Sequence, residues 1–140
     1  MIAVIRISGM VDVPYNIEET LKRIRLRRKY SAVIIKPNPQ NLKILKKIRN
    51  FIAYGDIDKK TLSLLVESRG VPKDKKKKIN PKEILEQIEK KDPKSWDIKP
   101  FFRLHPPRGG IDSKKHFGVT KRAVLGDNKN HINDLVRRML

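Results

Sequence analysis

Residues 31–54, SAVIIKPNPQNLKILKKIRNFIAY, hold the pattern from which the fold follows. Ser31 to Ile35 is a short apolar, β-branched run of strand length. Asn38 and Pro39 then supply an N-cap residue and a first-turn proline, so a helix starts there. Leu42, Leu45, Ile48 and Ile52 recur at helical spacing, and residues 51–54 form a further short strand before Gly55.

Upstream, residues 2–7 are an almost continuous apolar run, interrupted only by Arg6, and read as a central strand. Asn16 is expected to cap the next helix with Glu19 in the capping-box position, and Ile17, Leu21 and Ile24 give it one apolar face. The helix should run into the basic cluster at its end, where cations complement the helix dipole. The resulting order is β-α-β-α-β.

Asp58 is a candidate cap for a following helix with Leu62, Leu65 and Val66 inward. Residues 73–78 read as a flexible, solvated, lysine-rich connector. A short charged helix should follow Asn80, Pro81 and Glu83 and stop at Asp92-Pro93. Residues 101–126 read as a strand entering an extended loop, with Phe102 and Leu104 alternating against Arg103 and His105. Ile132, Leu135, Val136 and Met139 share one face of a C-terminal helix capped by Asn128 or Asn130.

The expected class is therefore α+β. A ferredoxin-like β-α-β-α-β sheet carries helices on one face, and a C-terminal extension adds helices and an extended basic loop. Residues 1–70 form the core with its following helix. Residues 71–140 supply the basic linker, the short helix, the Pro/Gly/Arg loop and a terminal helix packed on the core.

A 140-residue chain with net charge +19 repels itself and calls for a polyanionic partner. The excess is spread along it: fifteen Lys and Arg against six Asp and Glu in residues 1–70, ten against six in 71–100, nine against three in 101–140. No apolar run has bilayer-spanning length, and the apolar start is too short for a signal peptide, so a cytosolic protein with no membrane partner is expected. Few aromatics point to phosphate contact rather than to a stacking platform for single strands.

Absence of cysteine excludes disulfides, Cys-ligated metal and thiol nucleophiles. His105, His116 and His131 lack metal-ligand spacing, and no carboxylate pair, nucleophile elbow or phosphate-cradling glycine loop is found. No catalytic residue, metal, cofactor or small-molecule substrate is therefore expected.

Two patches are the candidate RNA-binding surface. The first contains Lys22, Arg23, Arg25, Arg27, Arg28 and Lys29, extended by Lys46, Lys47 and Arg49. The second contains Arg103, His105, Arg108, Gly109, Gly110, Lys114, Lys115, His116, Lys121 and Arg122, where prolines stiffen the chain and glycines permit close approach. The lysine run at 75–78 reads more simply as a solubilising linker. A free nucleic-acid chaperone is the alternative, and a small phosphate-processing enzyme a weaker one.

The first strand, the helix from Asn16 to Leu21, the basic turn before Ala32 and the run Phe51-Ile52-Ala53-Tyr54-Gly55 resemble the large-subunit ribosomal protein family called L-thirty, whose eukaryotic relative is L-seven. Residues 102–110, FRLHPPRGG, are similar to the most distinctive segment of the longer archaeal and eukaryotic forms. Gly126-Asp127 and residues 133–139 are similar to their terminal helix. The resemblance covers nearly the whole chain and is weakest over residues 73–99. It implies an archaeal-type ribosomal protein that binds large-subunit RNA, contacts 5S RNA and lies among neighbouring ribosomal proteins.

Overall fold

The first strand, β1 (Ile2–Arg6), is buried at every position because it lies at the centre of a sheet with helices on both faces. The computed structural model describes residues 1–119 and 122–140. Strand β1 pairs antiparallel with β2 (Ser31–Ile35) on one side and β3 (Ile52–Asp56) on the other, with Val4 opposite both Val33 and Tyr54.

Side chains alternate across a strand, so this register sorts the apolar residues into two sets. Ile2, Val4, Val33, Ile52 and Tyr54 meet Ile17 and Leu21 of α1 (Tyr15–Arg23) and Leu45 of α2 (Pro39–Lys47). This is the expected β-α-β-α-β core, with its two helices on one face. Ala3, Ile5, Ala32, Ile34 and Ala53 face the opposite way, towards α3 (Lys59–Arg69), α4 (Pro81–Lys90) and α5 (Ile132–Met139).

Asp58 caps α3 as expected, its Oδ1 accepting from the Thr61 amide at 2.6 Å. Hydrogen bonds from Thr61 hold its carboxyl below the ordinary value, with Arg137 of α5 helping and partial burial opposing. Helix α1 differs from expectation at both ends. It starts at Tyr15, where the Pro14 carbonyl takes the Ile17 and Glu18 amides, and Glu19 pairs with Arg23 rather than closing a capping box. It stops at Arg23, because Arg25 adopts a left-handed conformation with φ 69°. Most of the basic cluster is therefore a loop and not a helix end.

The stretch 101–126, expected as one strand and a loop, holds three strands among its described residues. Strand β4 (Phe102–Arg103) adds to the free edge of β2. Strand β6 (Ala123–Asp127) lies parallel to β3, and β5 (Ser113–His116) lies parallel to β6. Short length, two lysines and flanking glycines hid β5 and β6 from a periodicity reading.

The sheet order is β4-β2-β1-β3-β6-β5, so β4 and β5 occupy opposite edges. Strands spaced about 4.8 Å apart put these edges roughly 24 Å from each other. The nine residues 104–112 must cross that width, and a chain advancing at most about 3.5 Å per residue has the reach to do so with room for one turn. Pro106 and Pro107 suit this strap, since proline favours extended backbone and lacks a donor to leave unpaired.

The lysine-rich stretch at 73–78 belongs to an excursion closed at its base. Pro72 bridges Ile98, the Lys73 amide donates to Asp97 O at 2.9 Å, and the Lys99 amide donates to Val71 O at 2.8 Å. Trp96 and Ile98 are buried with Ile84 and Ile88 of α4, so this segment contributes to the core. At the C-terminus, α5 follows a 3-10 turn at Lys129–His131. Asn128 is a buried anchor rather than a cap, donating to Val124 O at 2.8 Å and to Gly126 O at 3.2 Å.

Candidate nucleic-acid interface

One end of the sheet collects the loops that carry the two predicted patches. Strand β1 ends where β2 and β3 begin, and β4 runs antiparallel to β2, so its C-terminal residue finishes at that same end. The pairing Ser31↔Arg103 is decisive. It sets Arg103 beside the loop that precedes Ser31 and thereby joins two patches that are remote in sequence.

Arg25, Arg27 and Arg28 form one wall of a cleft of about 350 Å³, and Lys99, Phe101 and Arg103 form the other. No acidic residue among the described residues lines it. Among the described residues none of these five cations makes a salt bridge, whereas Lys22 and Arg23 pair with Glu18 and Glu19 on α1. Such exposed helix pairs are worth only about 0.3–0.5 kcal/mol, so an incoming phosphate can compete for them. Lys29 lies 4.9 Å from the Tyr30 ring centroid, and the Arg103 guanidinium lies 5.9 Å from that of Phe101.

The loop holds this shape around a buried guanidinium that sequence reasoning missed. Arg6 is only 1% exposed. Its Nη1 donates to Leu26 O at 2.9 Å and to Arg27 O at 3.1 Å, while Nε donates to Ser8 O at 3.1 Å and Nη2 to Gly9 O at 2.8 Å. Burial pulls its pKa down and Glu18 partly opposes that, yet an arginine stays charged in a protein. The Arg6 carbonyl also accepts the Tyr30 amide at 2.7 Å. One residue therefore ties the loop that follows β1 and the loop that precedes β2 to the end of β1. The signal available in the sequence was a cation inside a central apolar strand.

The strap is fixed just as closely. Leu104 N donates to Tyr30 O at 3.0 Å, His105 N to Met139 O at 2.9 Å and Arg108 N to Arg138 O at 2.9 Å. Arg138 returns the contact, its Nε donating to Arg108 O at 2.9 Å and its Nη2 to Gly110 O. Gly109 and Gly110 have φ 78° and 72°, and a turn closes there with Gly110 N on Pro107 O at 3.0 Å. Two successive left-handed residues strongly favour glycine. The side chains of His105 and Arg108 are exposed along the strap.

The remaining candidates are placed less uniformly. Lys114 and Lys115 are exposed on β5 at the far edge, and His116 is half-buried against Gly126. Arg122 braces the strap instead of standing free, donating to Gly109 O at 2.9 Å and pairing with Asp112 at 3.3 Å. Lys121 lies outside the described residues. Lys46, Lys47 and Arg49 are exposed where α2 turns into β3, at the same end of the sheet as the cleft but outside its walls.

Lys99 and Phe101 line the cleft without having been singled out in the sequence. Phe101 shares a parity with Arg103, opposite to the buried Phe102 and Leu104, and this was the available clue.

Among the described residues no group of acidic, histidine or cysteine side chains is arranged to hold a metal ion, and no helix is long and apolar enough to cross a membrane. The family model described as ribosomal protein L30p/L7e matches residues 2–52. The chain is 37% identical over 153 residues to large ribosomal subunit protein uL30 of Methanococcus maripaludis, covering 99% of this chain and 98% of the relative. It is 36% identical over 154 residues to the uL30 protein of Archaeoglobus fulgidus, covering 99% of both chains. With the uL30 protein of Pyrobaculum aerophilum it shares 34% identity over 173 residues, covering 99% of this chain and 93% of that one.

Proposed function

Because this chain belongs to the ribosomal protein L30p/L7e family, we propose that it grips large-subunit ribosomal RNA with the basic end of its sheet. Family membership makes it a structural constituent of the large subunit of the cytoplasmic ribosome, and not an enzyme. The observation that carries the RNA reading is the convergence of Arg25, Arg27, Arg28, Lys99 and Arg103 on one acid-free cleft. Arginine forks match phosphate oxygens in pairs, and a lysine adds a point charge. Because RNA helices expose phosphates and 2′-hydroxyls across a wide minor groove, such a surface reads shape more than sequence.

The strap carries the same chemistry towards β5 through His105, Arg108, Lys114 and Lys115. We assign it a second RNA contact. The similarity of residues 102–110 to the archaeal and eukaryotic forms makes 5S RNA the partner of choice there, with neighbouring ribosomal proteins around it.

Replacing Arg27, Arg28 and Arg103 together by glutamine is the test. Each phosphate-bound cation removed makes the slope of log affinity against log salt shallower by roughly 0.7–0.9, so the triple variant should lose about two units of slope. Between 50 and 200 mM salt the parent's advantage in affinity for deproteinised large-subunit RNA should shrink about thirtyfold. Unchanged affinity and slope would end the proposal, and equal binding to any duplex would favour a free chaperone.

A further inference from the structure

The cleft between residues 25–28 and 99–103 is more than a phosphate clamp. Its volume of about 350 Å³ exceeds what one phosphate fills and falls in the roughly 300–1,000 Å³ range of small-ligand clefts. Its two walls also differ in chemistry. One presents Arg25, Arg27 and Arg28, and the other presents the half-buried Phe101 ring with the Arg103 guanidinium 5.9 Å from its centroid. An arginine near an aromatic face is held by the ring quadrupole. The pair gives a mixed cationic and apolar surface against which a base can pack.

We infer that this cleft takes one unstacked RNA nucleotide, with its phosphate on the arginines of residues 25–28 and its base against Phe101 and Arg103. The inference rests on the RNA reading above and deepens it by naming the ligand as a single extruded nucleotide. Phe101 packs on the α1–α2 core with part of its ring, but duplex backbone alone leaves its cleft-facing surface uncovered, because paired bases stay in their stack. An acidic side chain from a neighbouring protein would satisfy one or two cations and likewise leave that surface uncovered.

The site is preformed. Left-handed backbone at Arg25 and Tyr30, with φ 69° and 62°, sets the two ends of the arginine loop. Such conformations cost about 1–3 kcal/mol in a non-glycine residue and persist only where the surroundings fix them. Here Leu26 N donates to Leu21 O at 2.8 Å, Ser31 N donates to Arg28 O at 3.2 Å, and Arg6 holds the carbonyls between them. The opposite wall is fixed by the β2–β4 ladder. A ligand entering this cleft need not order the backbone of either wall, so its binding is offset by side-chain but not by loop entropy.

The test compares Phe101→Leu, Phe101→Trp and the pair Arg27→Gln/Arg28→Gln in the full chain, each bound to deproteinised large-subunit RNA across a salt series. Base-on-aromatic stacking is worth about 1–3 kcal/mol per base, so Phe101→Leu should weaken binding about tenfold. Its salt slope should equal that of the parent, because no charge is removed. Phe101→Trp should bind within about twofold of the parent, since indole also offers a stacking face. Ultraviolet irradiation of the parent complex should leave one nucleotide attached to the peptide that carries Phe101.

If Phe101→Leu binds like the parent while the arginine pair weakens binding, the nucleotide site is overturned and the phosphate reading stands. Loss of affinity in Phe101→Leu that Phe101→Trp does not restore also overturns it, because stacking is then not the source. Should neither kind of variant alter affinity, the RNA reading itself fails.

Discussion

Replacing Arg6 by methionine should lower the melting temperature by about 10 °C and also weaken RNA binding, a double effect expected of few single changes. The methionine fits the volume and the apolar strand, yet it removes every donor that holds the carbonyls of Ser8, Gly9, Leu26 and Arg27. Hydrogen bonds from a charged donor contribute about 1.5–3 kcal/mol each, and neighbouring ones do not add in full. Water can reach the partly buried members of the set, so the net cost should be about 3 kcal/mol.

The arginine loop would then lose the pin between its carbonyls and β1, and one wall of the cleft would move. Affinity for ribosomal RNA should fall about tenfold well below the melting temperature, although no exposed cation has been changed. Arg6→Lys separates charge from geometry. One ammonium keeps the charge but cannot reach four carbonyls on two loops, so it should resemble the methionine variant. Thermal unfolding by circular dichroism and a binding isotherm on the same samples check both parts. A lysine variant with parental stability and affinity would contradict the account.

Gly55→Ala should be about as destabilising, for a different reason. Gly55 lies in β3 opposite Ala3, directly beneath the 3-10 turn that leads into α5. An added Cβ would overlap the carbonyl oxygen of Lys129, and it would sit 3.0 Å from both the Lys129 nitrogen and Ile132 Cβ. Backbone cannot rotate aside as a long side chain can, so the turn must lift.

That turn is held by Asn128 N on Tyr54 O at 2.7 Å and by Asn133, whose side chain accepts from Asp58 N at 2.9 Å and donates to Asp56 O at 3.1 Å. Lifting it strains these hydrogen bonds and loosens Ile132, Leu135, Val136 and Met139 from the core. Overpacking against fixed backbone costs about 3 kcal/mol at the upper end of the ordinary range, which corresponds to roughly 10 °C in melting temperature. Gly9→Ala, where a Cβ meets nothing within 4 Å, is the control and should melt with the parent. Equal melting of both variants would show that the close approach at Gly55 does not matter.

The core was legible because its signals are local and repeat. Strand β2 has the bounds its apolar run suggested, and α2 begins at the asparagine-proline cap. Asp58 and the apolar face of α5 were equally plain. Long-range pairing decides the rest. Nothing near Ser113 or Ala123 announces parallel strands on the far side of β3, because β6 finds its partner β3 far away in sequence and β5 is short and lysine-bearing. Trp96 and Ile98 look like linker until the bridge at Pro72 folds them back.

The same division runs through the site. Arg25, Arg27, Arg28 and Arg103 were visible as charge, whereas their meeting across Ser31 depends on a ladder that no composition reading reveals. Arg6 was visible only as an interruption, since its meaning lies in four carbonyls on two loops. Arg122 shows the reverse case, a candidate cation that is occupied in bracing the strap.

Two segments remote from each other in sequence, residues 25–31 and 99–103, meet in one cleft proposed to hold ribosomal RNA. Cross-linking of native large subunits, followed by mass spectrometry of the RNA-bearing peptides, tests it most directly. Adducts are expected on residues 25–29 and on residues 99–103, attached to nucleotides of one RNA site. Adducts confined to the lysine-rich excursion at 73–91, with both cleft segments unmodified, would contradict it.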